Sequence, residues 1–177
     1  MIMTGDTKNT HKEEHLRSSD FITDIVIGMS DGLTVPFALA AGLSGAVQSN
    51  SVVITAGIAE IVAGSIAMGL GGYLAGKTEQ EHYQSELKRE YDEVECVPEK
   101  EKAEVKLVFA QYGLNELSQN IVADELAKDK NRWVDFMMKY ELGLEKPDAN
   151  RARNSAATIG ISYVIGGLIP LTAYFFT

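Results

Sequence analysis

The stretch Asp24 to Ala46, DIVIGMSDGLTVPFALAAGLSGA, constrains this chain more than any other. It is apolar almost throughout and long enough to cross a bilayer, yet it carries Asp24 and Asp31, seven residues apart. Residues 52–74 and 155–176 form two further apolar runs, and the three runs together hold only three charged side chains, Asp24, Asp31 and Glu60. At 1.5 Å per residue, helices of 22–23 residues reach about 33–35 Å, enough for a hydrocarbon core of roughly 30 Å. Residues 77–153, by contrast, hold 13 of the 16 basic and 18 of the 25 acidic side chains. The net charge of −9 and the mean hydropathy of −0.06 would suit an acidic soluble domain, but these averages hide the segregation.

The expected fold is therefore all-α: a helical membrane protein with three transmembrane helices and a polar helical module between the second and third. The expected boundaries are a tail at 1–23, two spans within 24–76, the module at 77–153 and a third span at 154–177. The tail is polar and lacks the pattern of a cleaved signal peptide. Cys96 is the single cysteine, so no internal disulfide can form. Lys8, Lys12 and Arg17 lie in the tail, 13 basic residues lie in the module, and the loop VQSNS has none. The positive-inside rule then places tail and module in the cytosol.

The module reads as four helices. The first continues from the second span through KTEQEHYQSELKREYDEVE and ends at Pro98, which suits the first turn of the next. Gly113 stops that second helix, a third covers ELSQNIVADELAK, and a fourth starts at an Asn131 cap and stops at Gly143. Glu86, Glu90 and Glu93 share one face of the first helix; Glu101 and Glu104 share one face of the second. Helical bundles hold iron and manganese with carboxylates projecting in this way from neighbouring helices. Met137, Met138 and Glu141 add thioether and carboxylate donors, and a thioether discriminates against Mg²⁺ and Ca²⁺. From spacing alone the commoner arrangement is a solvated acidic face paired with Lys88, Arg89, Lys100 and Lys102, with methionines that only fill a core beside Trp133 and Phe136. Glu79 and His82 make a lone Glu-x-x-His, and His11 and His15 fall in the tail.

A carboxylate in hydrocarbon costs at least ~2.5 kcal/mol near the bilayer centre, so intramembrane acids are functional candidates by default. Entering at Asp24, the first span carries Asp31 about 10 Å inside; on the antiparallel second span Met68 comes to a similar depth and Glu60 lies deeper. Asp24 and Asp31 should share a face, giving a ladder of ligands through the membrane. The plainer alternatives are a helix cap for Asp24, a structural hydrogen bond for Asp31 and ordinary packing for Met68. Pro36 interrupts the first span, and small residues, among them Gly57, Gly64, Gly72 and Gly76, favour close helix approach on the second.

DIVIGMSDGLTVPFALAAGLSGA, AEIVAGSIAMGLGGYLAGKTE and DFMMKYELGLEKPD together resemble the vacuolar iron transporter family in its plant-type form. The resemblance covers nearly the whole chain from Asp20. It implies Fe²⁺/H⁺ antiport from cytosol into the vacuole by a homodimer, with a cytosolic metal-binding domain and a multi-pass vacuolar membrane location. It implies no enzyme activity, no prosthetic group and no nucleic-acid partner. The transport path it implies is Asp24, Asp31, Glu60 and Met68. The metal ligands it implies are Glu90, Glu93, Glu101, Glu104, Met137 and Glu141, with Met138 beside them. The family has five spans and this chain has three, so the expectation is a chain truncated after the third.

Three functions compete. The first is proton-coupled transport of Fe²⁺, with Mn²⁺, Co²⁺ and Zn²⁺ as further substrates. The second is a membrane-anchored metal sensor or buffer without transport. A di-iron oxidase is disfavoured, because such sites pair two Glu-x-x-His motifs and only one is present. Asp31 separates the first two, since a buffer has no need of a carboxylate within the membrane.

Overall fold

The computed structural model describes residues 15–176, with side chains from Asp20 onward. The tail before His15, including His11, lies outside the described residues. Six α-helices follow in order: α1 His15–Ala46, α2 Asn50–Cys96, α3 Pro98–Gln111, α4 Glu116–Leu126, α5 Lys130–Phe136 and α6 Arg151–Phe175. A π-helical turn, Met137–Glu141, extends α5. No strand occurs among the described residues. Among the described residues, three helices are long and apolar enough to cross a membrane: Asp20–Ala46, Asn50–Cys96 and Arg151–Phe175. The first thus begins ahead of Asp24, because the helix runs in from His15. Residues Leu74–Ala152 form one compact unit, and the described residues on either side of them form another.

The apolar unit is held together by close backbone approach. On α1 every fourth residue is buried: Asp24, Gly28, Gly32, Pro36 and Ala40. Such a row is one of the ridges along which helices pack. A side chain on Gly28 would lie 2.3 Å from the carbonyl oxygen of Ile159 on α6, and one on Gly32 would lie 2.3 Å from that of Tyr163. On α2, Gly57 faces Leu171, Gly64 faces the Tyr163 ring, and Gly72 faces Ser155 and Ile159. The small residues of α1 and α2 thus let α6 approach closely. Ala40, Val53, Ile61 and Leu171 close one end of this packing. Pro36 lies within the unbroken α1, and the side chain that would sit on Gly167 of α6 would meet it at 3.1 Å.

This seam covers one acid of α1 and leaves the other exposed. Four-residue steps rotate the packed row by about 40° each, whereas a seven-residue step rotates about 20° the other way. Asp31 therefore falls off the row that Asp24 begins: Asp24 is 5% exposed, while Asp31 is exposed. The two acids stay about 20° apart around α1, but the packed four-residue row turns away from the face they share, so only Asp24 is covered.

The polar unit packs around Tyr83, Val94, Val105, Ala123, Trp133, Val134, Met137 and Met138. Pro98 opens α3 one residue after Val97, and Gly113 and Gly143, with φ of +81° and +64°, take the left-handed turns that end α3 and follow the π turn. Asn115 caps α4 by accepting from the Ser118 N–H at 2.9 Å. α4 stops at Leu126, two residues short of the expected end. The cap of α5 is Asp129 rather than Asn131. Its carboxylate accepts from the backbone of Asn131 and Arg132, while the Asn131 side chain accepts instead from the Tyr91 hydroxyl. A carboxylate at that position also favours the positive end of the helix dipole.

Gly32→Val should lower the thermal midpoint of the detergent-solubilised chain by several degrees, because its side chain must displace backbone. Gly42, with nothing within 4 Å of an added methyl, is the control. Gly42→Ala should be neutral or stabilising by up to about 1 kcal/mol. Size-exclusion thermostability of the two variants checks both outcomes.

Candidate metal centre

Three carboxylates from three segments converge in the polar unit. Glu90 lies on α2, Glu101 opens α3 and Glu141 ends the π turn; one oxygen of each lies within 4.8 Å of the others. Glu101 is fully buried and Glu90 is 1% exposed. Each position has a local cause. Glu90 faces inward on the same side of α2 as Tyr83 and Val94. Glu101 falls three residues after the Pro98 start of α3, so its side chain points back across the first turn. Glu141 owes its place to the π turn, which widens the helix just where Met137 and Met138 enter the core.

The electrostatics of this cluster are unfavourable without a cation or protons. One oxygen of Glu90 and both of Glu101 are buried without a hydrogen-bond partner. Arg89 lies 3.8 Å from Glu90 and Lys100 lies 3.6 Å from Glu101, but these bases also pair with Glu86 and Glu104, at 2.6 and 3.0 Å. Burial, then the neighbouring Glu141 and Glu93, pushes the Glu90 carboxyl up to about 7. Burial, then Glu104 and Glu90, pushes Glu101 up to about 7. Glu141 is raised too, by desolvation first and Glu104 second. The residue as a whole is exposed, but one of its carboxylate oxygens belongs to the cluster. Buried like charges that lack donors suit a hard or borderline divalent cation, for which carboxylates are the natural ligands.

The other ligands expected from sequence are placed as follows. Glu93 and Glu104 lie close enough to act electrostatically on Glu90, Glu101 and Glu141. Met137 and Met138 are buried in the hydrophobic core with Trp133, and Phe136 stacks on Phe109 at 5.3 Å. Glu79 and His82 do not join the cluster; Arg151 lies 3.5 Å from Glu79, and His82 faces Glu86 at 3.9 Å.

In the apolar unit, Asp24 is buried, Asp31 is exposed on the single chain, and Glu60 and Met68 are half-buried on α2. Glu60 accepts a hydrogen bond from the Tyr163 hydroxyl at 2.5 Å. Tyr163 escaped the reading of sequence. Its signal was a tyrosine deep within an apolar run, away from the interfacial belts where tyrosines of membrane helices collect.

The raised carboxyls set a pH dependence. Folding lifts Glu90 and Glu101 from 4.5 to about 7, so the metal-free fold binds protons more tightly than the unfolded chain. This stabilisation is full below about pH 4.5 and is lost as pH rises through about 7. Trp133, the single tryptophan, is buried in this unit and reports on it. Metal-free chain should therefore show a lower Trp133 unfolding midpoint at pH 8 than at pH 5. Zn²⁺ at pH 8 should restore it, and Glu101→Gln should flatten the pH dependence.

Residues 22–177 match the VIT family. The chain is 57% identical over 166 residues to vacuolar iron transporter 1 of Tulipa gesneriana, covering 94% of this chain and 67% of that protein. It is 58% identical over 164 residues to vacuolar iron transporter 1 of Arabidopsis thaliana, covering 93% and 66%. It is 43% identical over 161 residues to protein CCC1 of Saccharomyces cerevisiae, covering 88% and 48%. The chain thus spans about two thirds of the length of these plant relatives. With this match running through the apolar helices and the carboxylate cluster alike, the chain belongs to the VIT family.

Proposed function

We propose that this chain carries out the metal-handling steps of a proton-coupled Fe²⁺ transporter of the vacuolar membrane, moving metal out of the cytosol. Mn²⁺, Co²⁺ and Zn²⁺ are the further substrates that its oxygen-rich donors would accept. The reading rests on Asp31 and Glu60, carboxylates within helices otherwise apolar enough to span a bilayer. A protein that only stores metal needs no such groups, and holding them in hydrocarbon costs at least ~2.5 kcal/mol each near the bilayer centre. The names of the plant relatives support iron as the substrate and the vacuole as the address.

In this reading the Glu90, Glu101 and Glu141 cluster collects metal on the cytosolic side. Metal displaces protons from raised carboxyls, so binding is strongest where pH is high. Asp24, Asp31, Glu60 and Met68 then offer oxygen and thioether donors along the membrane path. Proton uptake by these carboxylates on the acidic side releases the metal. The exposed position of Asp31 supports a homodimer, since a second copy would shield this carboxylate from lipid. The basic residues of the polar unit support a cytosolic location for it.

One observation favours the alternative of a membrane-anchored sensor or buffer: the three convergent carboxylates all belong to the unit Leu74–Ala152. Asp31→Asn separates the two readings, because it keeps the side chain's shape and removes its charge. In proteoliposomes with an acidic lumen, the variant should lose at least about tenfold in Fe²⁺ uptake relative to the parent protein, with expression and metal binding by the polar unit intact. Parental uptake rates in Asp31→Asn would leave the buffer reading standing.

A further inference from the structure

We propose that Tyr163 is the positioning residue for the intramembrane carboxylate Glu60, its hydroxyl fixing the side chain so that one defined oxygen is offered to the metal. The inference rests on the transport reading above and adds a residue to it. Glu60 Oε1 accepts from the Tyr163 hydroxyl oxygen 2.5 Å away, while Oε2 is buried and has no hydrogen-bond partner. One oxygen is therefore capped and the other is left to act as a ligand. Glutamate has three side-chain torsions, so an uncapped Glu60 would lose more rotamer freedom whenever it bound an ion.

Tyr163 is itself held on three sides. It is 2% exposed. Its backbone carbonyl lies where α1 has only the hydrogen of Gly32, at 2.3 Å from a side chain built there. Its hydroxyl and ring edge occupy the space left by Gly64, where an added methyl would lie 2.3 Å from the oxygen. The Asp31 carboxylate acts on the same phenol electrostatically. A rigid donor that orients a ligand in this manner is worth about 10–100-fold in metal affinity at other sites.

The test measures equilibrium binding of radiolabelled Co²⁺ to the full chain in detergent. Glu101→Gln and Glu141→Gln silence the carboxylate cluster of the polar unit in every sample. On that background Glu60→Gln should weaken binding, and Tyr163→Phe should weaken it about tenfold while leaving the melting temperature within a few degrees. In the double variant Tyr163→Phe should add nothing to Glu60→Gln, because its effect acts through the carboxylate. A purely structural tyrosine would instead weaken both backgrounds equally. Should Tyr163→Phe melt early, Gly64→Ala, which pushes the hydroxyl aside, provides the same comparison. Tyr163→Phe binding like its parent, or losses that add in full, overturns the positioning role. Glu60→Gln binding like its parent overturns the path reading beneath it.

Discussion

Carboxylates held away from water without donors are the constraint on which this protein is organised. An ionised carboxylate that leaves water must find a counter-charge, take up a proton or accept several hydrogen bonds. Glu90 and Glu101 have none of the last: three of their four oxygens are buried without a hydrogen-bond partner. Two basic side chains approach, yet each is shared with a more exposed acid. What remains is an exchange between protons and a cation. The same logic holds within the apolar helices, where Glu60 keeps one hydrogen bond and one buried free oxygen.

The helices make room for these acids by omitting side chains. α6 meets the α1 glycines Gly28 and Gly32 at backbone distance, and its one buried tyrosine fits the gap at Gly64. In lipid, where no hydrophobic force drives helices together, close approach of this kind supplies most of the packing energy. In the polar unit, irregularity does the equivalent work. Pro98 sets the phase of α3, and the π turn shifts Glu141 toward Glu90 and Glu101. A regular helix continuing from α5 would carry position 141 round by a different angle.

Much of this was legible in the residues. Charge segregation marked the three apolar helices, and Pro98, Gly113 and Gly143 marked where the polar helices break. The spacing of Glu90 with Glu93 and of Glu101 with Glu104 singled out the helix faces now seen near one another. Other features follow from tertiary packing, which periodicity does not encode. Asp24 is covered and Asp31 exposed because α1 packs along a four-residue ridge that turns away from the face the two acids share. The π turn has no sequence signature, and the choice of Asp129 over Asn131 as cap turned on which side chain Tyr91 would occupy. Tyr163 looked like one more apolar residue of α6 until its hydroxyl was seen on Glu60.

The central claim is that metal and protons compete for the Glu90, Glu101 and Glu141 cluster, and proton release on binding tests it most directly. Calorimetric titration of the full chain with Zn²⁺, in buffers of different ionisation enthalpy, counts the protons released per metal. With two carboxyls at about 7, the count should be close to two at pH 6 and fall toward zero by about pH 8.5. Glu101→Gln should remove about one of them at pH 6. A count near zero at both pH values, in the wild-type chain and the variant alike, would contradict the account.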